Sequence, residues 1–406
     1  MRDVCLVSWL VRLILMVATV GGAPGPVAAQ APNHQHEPSE APPIAWAWTR
    51  DASVFFGYNH QQRRFADATA WESQNWAMLG ARRQVGRGTL GVEGMLSFEP
   101  FTIAALGSPQ LFQTGESYQD TPLVNYQHPH DLLMALGATY RVERPRGAYW
   151  FGAALVGSPA LGPTPFMHRE SARNNPQAPL SHHSMDSTHM APGVLTVGLA
   201  SGPVTVEASA FRGQEPDEDR LNVERPALNS WSARIGWRRG PWQAQFSGGR
   251  IHEPEWFDPY DHTRLTASIA FSGAVVGRPL SALVAWGENR VNNGFENVDD
   301  SYLAEWDIRA TRPLAIYGRT ERAMKQILGL GFHPRGFTHP HFYSRITAFT
   351  FGGVHHLPVR AVTTLGIGAD VTVYRTSSEM AEFYEGSHSY HVFLRWRPAV
   401  STAHVH

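Results

Sequence analysis

The sequence predicts an all-β chain: a single antiparallel transmembrane β-barrel of about 16 strands, bounded by 14 and 18. Three observations predict it. Segment after segment alternates apolar and polar residues with a period of two. Short turns rich in Gly and Pro alternate with long loops. One face of the alternation is aliphatic and aromatic, whereas the other carries full charges. Between Asn229 and Arg239, Trp231, Ala233, Ile235 and Trp237 share one face, opposite Ser230, Ser232, Arg234, Gly236 and Arg238. Tyr302, Ala304, Trp306, Ile308 and Ala310 alternate in the same way with Ser301, Leu303, Glu305, Asp307 and Arg309. Two such faces suit a cylinder with lipid outside and water inside.

Along the chain, Arg2 and the apolar stretch Leu6–Val20, followed by small residues up to Ala31, predict a cleaved secretory signal over 1–31. Cys5 is the only cysteine and lies inside it, so the mature chain has no disulfide framework. Residues 32–45 read as a polar periplasmic linker, 46–397 as the barrel and 398–406 as a periplasmic tail. A first strand is expected at 52–59. Seven hairpins follow, at 76–84 with 90–98, 132–142 with 148–156, 194–199 with 204–211, and 231–238 with 242–249, then 265–274 with 280–288, 302–310 with 314–321, and 343–352 with 361–373. A last strand covers 390–396. Sequences such as Val85-Gly86-Arg87-Gly88 and Arg239-Gly240-Pro241 supply the turns within hairpins. Longer segments separate the hairpins: 60–71, 99–130, 158–192, 213–228, 252–262, 290–300, 324–340 and 376–388. An even strand count leaves both termini on one side, with periplasmic turns there and extracellular loops opposite.

Composition agrees with half-apolar strands: 43% of the 406 residues are hydrophobic, yet no apolar run beyond the N-terminus is long enough for a membrane helix. The formal net charge is −1, and Lys325 is the single lysine. Without a basic cluster interleaved with aromatics, nucleic acid is excluded as a partner. Trp231, Trp237, Trp242, Trp286, Trp306 and Trp396 fall on the outward parity, which argues against a soluble β-rich protein and suits an interfacial girdle. The expected partners are outer-membrane lipid, lipopolysaccharide and the barrel-assembly machinery, with oligomerisation left open. The last strand, with Tyr390, Val392, Leu394 and Trp396 on one face, resembles the terminal signal of bacterial outer-membrane β-barrels. Here about ten residues follow Trp396, whereas that signal usually ends on an aromatic residue. The resemblance covers the mature chain and implies export to the outer membrane.

The loops hold the residues with metal-ligand chemistry. His128, His130 and Asp131 precede one strand, and His182, His183, Asp186 and His189 precede another. Imidazoles and carboxylates at such spacing are typical ligands of copper or zinc. Met167, His168, Met185 and Met190 add soft donors. The competing expectation is that these histidines bond to loop backbone or carboxylates and pin the loops. The stretches HPHD and SHHxxDSTH are similar to motifs of a group of Gram-negative outer-membrane proteins, a similarity that implies no activity. Glu215, Asp217, Glu218 and Asp219 offer carboxylates for Ca²⁺ but lack the spacing of an EF-hand. His252-Glu253-Pro254-Glu255 and His339-Pro340-His341 are further candidates at the rim.

Parity assigns Glu93, Glu207, Arg234, Arg238, Arg264, Glu305, Asp307, Arg309, Arg319, Glu321 and Arg395 to the lumen. Mixed signs there suit either a pore with a transverse field or ion-pair networks filling a closed lumen, with the pore favoured; about sixteen strands leave an interior too wide for side chains alone, so water or an inserted loop must occupy it. The loops 99–130 and 158–192 are the candidates to fold inward and narrow it. The leading expectation is therefore a porin-like channel for passive passage of small solutes or ions. The alternatives are a copper- or zinc-binding resistance protein and, less favoured, a rim hydrolase built on Ser181, Ser184 or Ser187 with nearby histidines.

Overall fold

The computed structural model describes residues 45–115, 117–119, 121–256, 259–292, 297–327, 343–358 and 363–398. The expected signal segment, most of the linker, His339-Pro340-His341 and the tail beyond 398 lie outside the described residues. Sixteen staves follow in chain order. They are β1 (Ala47–Arg63), β2 (Ala66–Glu72 and Asn75–Val85), β3 (Gly88–Leu96), β4 (Leu133–Arg144), β5 (Gly147–Gly157) and β6 (Ala191–Ser201). Next come β7 (Val204–Phe211), β8 (Ser230–Arg239), β9 (Trp242–Ile251), β10 (His262–Val275) and β11 (Arg278–Val291). The last five are β12 (Asn297–Arg309), β13 (Leu314–Gln326), β14 (Tyr343–Leu357), β15 (Thr363–Arg375) and β16 (His388–Pro398).

Each stave pairs antiparallel with its neighbour in sequence, and β1 closes the cylinder against β16, from Val54↔Trp396 to Gln62↔His388. Closure leaves no sheet edge, the condition for strands to cross a bilayer. β2 is interrupted at Ser73 and Gln74, and β1 spans the break by pairing with both halves. Segment 60–71, expected as a loop, instead continues the first hairpin, with Arg63 opposite Ala66. Polar residues on both faces of this stretch (Gln61, Gln62, Arg63, Arg64) hide the period that marks the other strands.

Parity is plainest in β16. Its inward residues His391, Phe393, Arg395 and Arg397 are buried, whereas Tyr390, Val392, Leu394 and Trp396 are exposed. The same inversion holds elsewhere: Leu195, Val197, Leu199, Trp231, Ile235, Ile269 and Phe351 stand on the surface while Arg264, Glu305 and Arg319 are covered. Such an outer face is stable against acyl chains and would be costly in water.

Candidate functional site

Two loops leave the barrel rim and enter the lumen, residues 97–132 and 158–190. The second is buried over most of its length, including the short helix His182–Met185. Glycine admits it: a Cβ on Gly287 of β11 would lie 2.3 Å from the Ser184 carbonyl oxygen, so only a bare backbone lets that helix rest on the wall. At Gly162, φ is +80° and the Met185 carbonyl lies where a Cβ would stand.

Polar contacts dock the loops around the wall. From the first loop, Pro109 O accepts from Asn59 Nδ2 (2.8 Å), Leu111 N donates to Gln61 Oε1 (3.0 Å) and Ser108 Oγ donates to Glu72 (2.7 Å). From the second, Ala160 N donates to Ser209 Oγ and Gly162 N to Ser247 Oγ. Arg264 Nη1 donates to Ser187 Oγ, Arg264 Nη2 and Asn289 Nδ2 to the His183 carbonyl, and Arg319 Nη1 to Gln177 O. Ser181 donates to Glu321, Asn174 Nδ2 to Asp307, and Arg395 Nε to the Arg173 carbonyl. Apolar contacts complete the ring. Met95, Met134 and Val156 share a cluster with Met167 and Met190, Val194 with Leu161, and Ile346 with Leu180. Phe112 packs on Tyr374 at 4.9 Å. The two loops thus meet the wall at every stave and form a plug.

An ion network anchors its centre. Arg169 joins Asp186 Oδ2 (2.6 Å) to Glu305 Oε1 (2.7 Å), and Arg319 Nε reaches Glu305 Oε2 (3.1 Å). These side chains are almost wholly excluded from solvent, so removing one member leaves buried charge uncompensated. Burial alone would push the Asp186 carboxyl up, but Arg169 and the His182 ring outweigh it and hold it below the ordinary carboxylate range. Burial also pulls Arg169 down, yet Glu305 and Asp186 reverse this and raise it.

The histidines of the two loops come together as a row. Ring centroids are 5.5 Å apart for His130–His189, 5.3 Å for His182–His189 and 5.4 Å for His182–His183. Three of the four Nδ1 atoms make hydrogen bonds: His130 with Glu99 (2.8 Å), His182 with Asp186 (2.6 Å) and His189 with the Asp186 carbonyl (2.9 Å). His128 Nδ1 faces the Pro129 carbonyl, and Asp131 is held by Arg220 (3.2 Å). Burial keeps His128, His182, His183 and His189 below the usual imidazole range, His189 at about 3, and pushes Asp131 up to about 7. Among the described residues, no group of three or more His, Cys, Asp or Glu is disposed to share a metal ion. The residues of the copper or zinc set expected from sequence are brought close together, with Asp186 shared between Arg169 and His182 and Asp131 bonded to Arg220. The acidic loop behaves likewise. Asp217 and Asp219 accept from backbone amides of Asp219 and Leu221, Glu218 accepts from Gln119 N (2.8 Å), and Glu215 lies 3.7 Å from His183. The hydroxyls of Ser181, Ser184 and Ser187 engage Glu321, the Ser181 carbonyl and Arg264, not an imidazole.

All eleven lumen candidates sit on inward register positions. Glu207 pairs with Arg234 (2.7 Å), whose Nη1 also donates to Gly162 O. Arg264, Glu305, Asp307, Arg319, Glu321 and Arg395 are the docking groups described above. Nearer the short turns, Glu93 lies opposite Gly80 and Gly137, Arg238 opposite Gln243, and Arg309 donates to the Arg312 carbonyl. Sequence reasoning missed Arg169, Arg173, Asn174 and Gln177, which dock the plug, and Lys325, which donates to Gln113 Oε1. The charged run Arg169–Arg173 inside a loop with little else charged is the one signal that could have drawn attention.

Contact is incomplete on one side. Between the loops and the wall of β1 and β2 lies a cavity of about 50 Å³, lined by Phe55, Trp76, Phe166, Gln110, Asn175 and Gln177 among others. His128 borders both this cavity and a rim depression that holds Glu215, Asp217, Glu218 and Glu255.

No protein-family model and no curated protein matches the chain. Solved structures do. The anion-selective porin from Comamonas acidovorans is 11% identical, with 87% of this chain and 100% of that chain covered at a TM-score of 0.51. OmpF of Salmonella typhi in complex with daunomycin is 9% identical, with 86% and 97% covered and the same TM-score of 0.51. At such low identity the likeness speaks for architecture, and it agrees with the strand count and the closure: the chain has the sixteen-stranded fold of the outer-membrane porins.

Proposed function

We propose that this chain is a porin-like channel of the bacterial outer membrane, passing small solutes around a two-loop plug that restricts flow. The observation that carries this reading is a charged, closed inner wall against which a loop plug is docked by polar contacts, with a cavity left between plug and wall. In this reading the exposed apolar belt meets lipid and lipopolysaccharide, the barrel-assembly machinery inserts the chain, and the short turns face the periplasm. The histidine row serves the plug: each engaged Nδ1 ties its own loop to itself, and the rings of His130 and His189 meet between the loops. Refolded protein in planar bilayers tests the reading. Small or rare conductance steps are expected for the wild type, and large steady ones for a variant shortened across 166–187. Silence from both would overturn it.

A further inference from the structure

The plug grips the two sides of the lumen differently, and the loose side has a definite chemistry. The cavity along β1 and β2 offers the amides Gln110, Asn175 and Gln177 and the rings of Phe55, Trp76 and Phe166. Its ionisable lining is bonded in place: Glu99 to His130 (2.8 Å) and Arg173 to Glu170 (2.7 Å). At the long-loop end, His128 joins it to the rim depression with Glu215, Asp217, Glu218 and Glu255. At the short-turn end, Arg173 and Phe55 line it, and Arg395 donates to the Arg173 carbonyl with its guanidinium 5.5 Å from the Phe55 ring centroid. Arg309 lies within electrostatic reach of Arg173, and Arg397 within reach of Arg395. The carboxylates nearby are Glu170, Asp307 and Asp51, the last bound to Arg397 at 2.6 Å. One mouth is therefore acidic and the other rich in arginine.

We infer that solute crosses the plug through this β1–β2 cavity, and that the route selects small uncharged hydrogen-bonding molecules of the size of urea or glycerol over ions of either sign. The inference rests on the channel reading above. A cation drawn to the outer carboxylates meets an inner mouth where Glu170 and Asp51 pair Arg173 and Arg397 and where Arg309 and Arg395 exceed the remaining carboxylate, Asp307, and an anion meets the carboxylates first. Neither finds an unpaired counter-charge between them, so each bears the desolvation penalty of entering a narrow site. A neutral solute trades water for amide donors and acceptors and lays its carbon side on the rings, so it bears no such penalty. At about 50 Å³ the space holds only a few waters, which sets the size class and requires the side chains to yield as solute passes.

Swelling of proteoliposomes in urea or glycerol, read beside KCl conductance of the same preparation, tests this. Wild type is expected to admit both neutral solutes with little ionic current. Trp76→Ala should speed glycerol entry several-fold, and Phe166→Leu, a loop change that leaves the wall intact, should do so to a smaller degree. Leu283→Ala, which vacates space on the opposite wall beside Met185, should leave entry unchanged. Glu215→Lys with Glu255→Lys should make both mouths positive and shift the reversal potential toward chloride. Potassium chloride passing as freely as glycerol overturns the inference. So does a response to Leu283→Ala without one to Trp76→Ala or Phe166→Leu, an outcome that leaves the channel reading standing. Absence of all flux, in wild type and in the shortened plug alike, removes both.

Discussion

The β10–β13 wall and the β1–β2 wall hold the same plug by different means. On the first, Arg264, Glu305, Arg319 and Glu321 engage the loop with buried charge, Asn289 adds its amide, and the helix His182–Met185 lies flat over Gly287. On the second, loop carbonyls and amides meet Asn59, Gln61 and Glu72, rings meet rings, and a cavity remains. Buried ionic groups tolerate no slack, because each unmet valence carries its full desolvation cost, whereas amide and apolar surfaces accept a gap at much smaller cost. The plug is clamped on one side and yielding on the other.

The severest way to break that asymmetry is Arg169→Ala, which strands Asp186 and part of Glu305 without their guanidinium. Docking of the 158–190 loop should weaken by about 3–5 kcal/mol. The check is faster proteolysis within the loop in folded protein, together with larger conductance steps. Next, Gly287→Ala pushes a methyl into the Ser184 carbonyl and should cost about 1–3 kcal/mol as the helix lifts. The same two readouts should move in the same direction, but less.

Acid should act more mildly. His182, His183 and His189 are docked with depressed affinity for protons, so the undocked loop binds more protons once pH falls below the ordinary 6.5. Their contribution to docking is intact above that value and is lost progressively toward the docked value, about 3 for His189. Conductance should therefore rise between pH 7 and pH 5. Asp131, pushed up to about 7, works the other way, since its docked form favours the proton, and Asp131→Asn should sharpen the acid response. The smallest effect is expected at the rim pair Arg64–Glu385, 3.4 Å apart and half exposed. Arg64→Ala there should change thermal stability by less than about 1 kcal/mol.

How far this was legible follows from periodicity. Strand direction, inward and outward faces and the even stave number are written in a period of two. Trp231 against Arg234, and Trp396 against Arg395, already separate lipid from lumen. The upper part of the first hairpin escaped because its residues are polar on both faces. The loops carry no period, so nothing in 158–192 states that Arg169 finds Glu305 or that the His183 carbonyl finds Arg264. Those partners are contributed by strands more than 75 residues further on. For the same reason the histidine cluster was visible as a group while its role was not. Ligand or tether is decided by what each ring nitrogen bonds, and Glu99 and Asp186 reach them only once each loop has folded back on itself.

The placement of the docking partners also orders assembly. The 158–190 segment emerges between the fifth and sixth staves, yet its polar anchors are spread from Ser209 to Arg395, the latter three residues from the end of the final strand. It cannot seat until the cylinder has shut, and so must wait, exposed and unsatisfied, while more than half of the wall is still being laid. Growth of the wall and stoppering of the bore are successive events, and a chain arrested between them would be a wide-open leak.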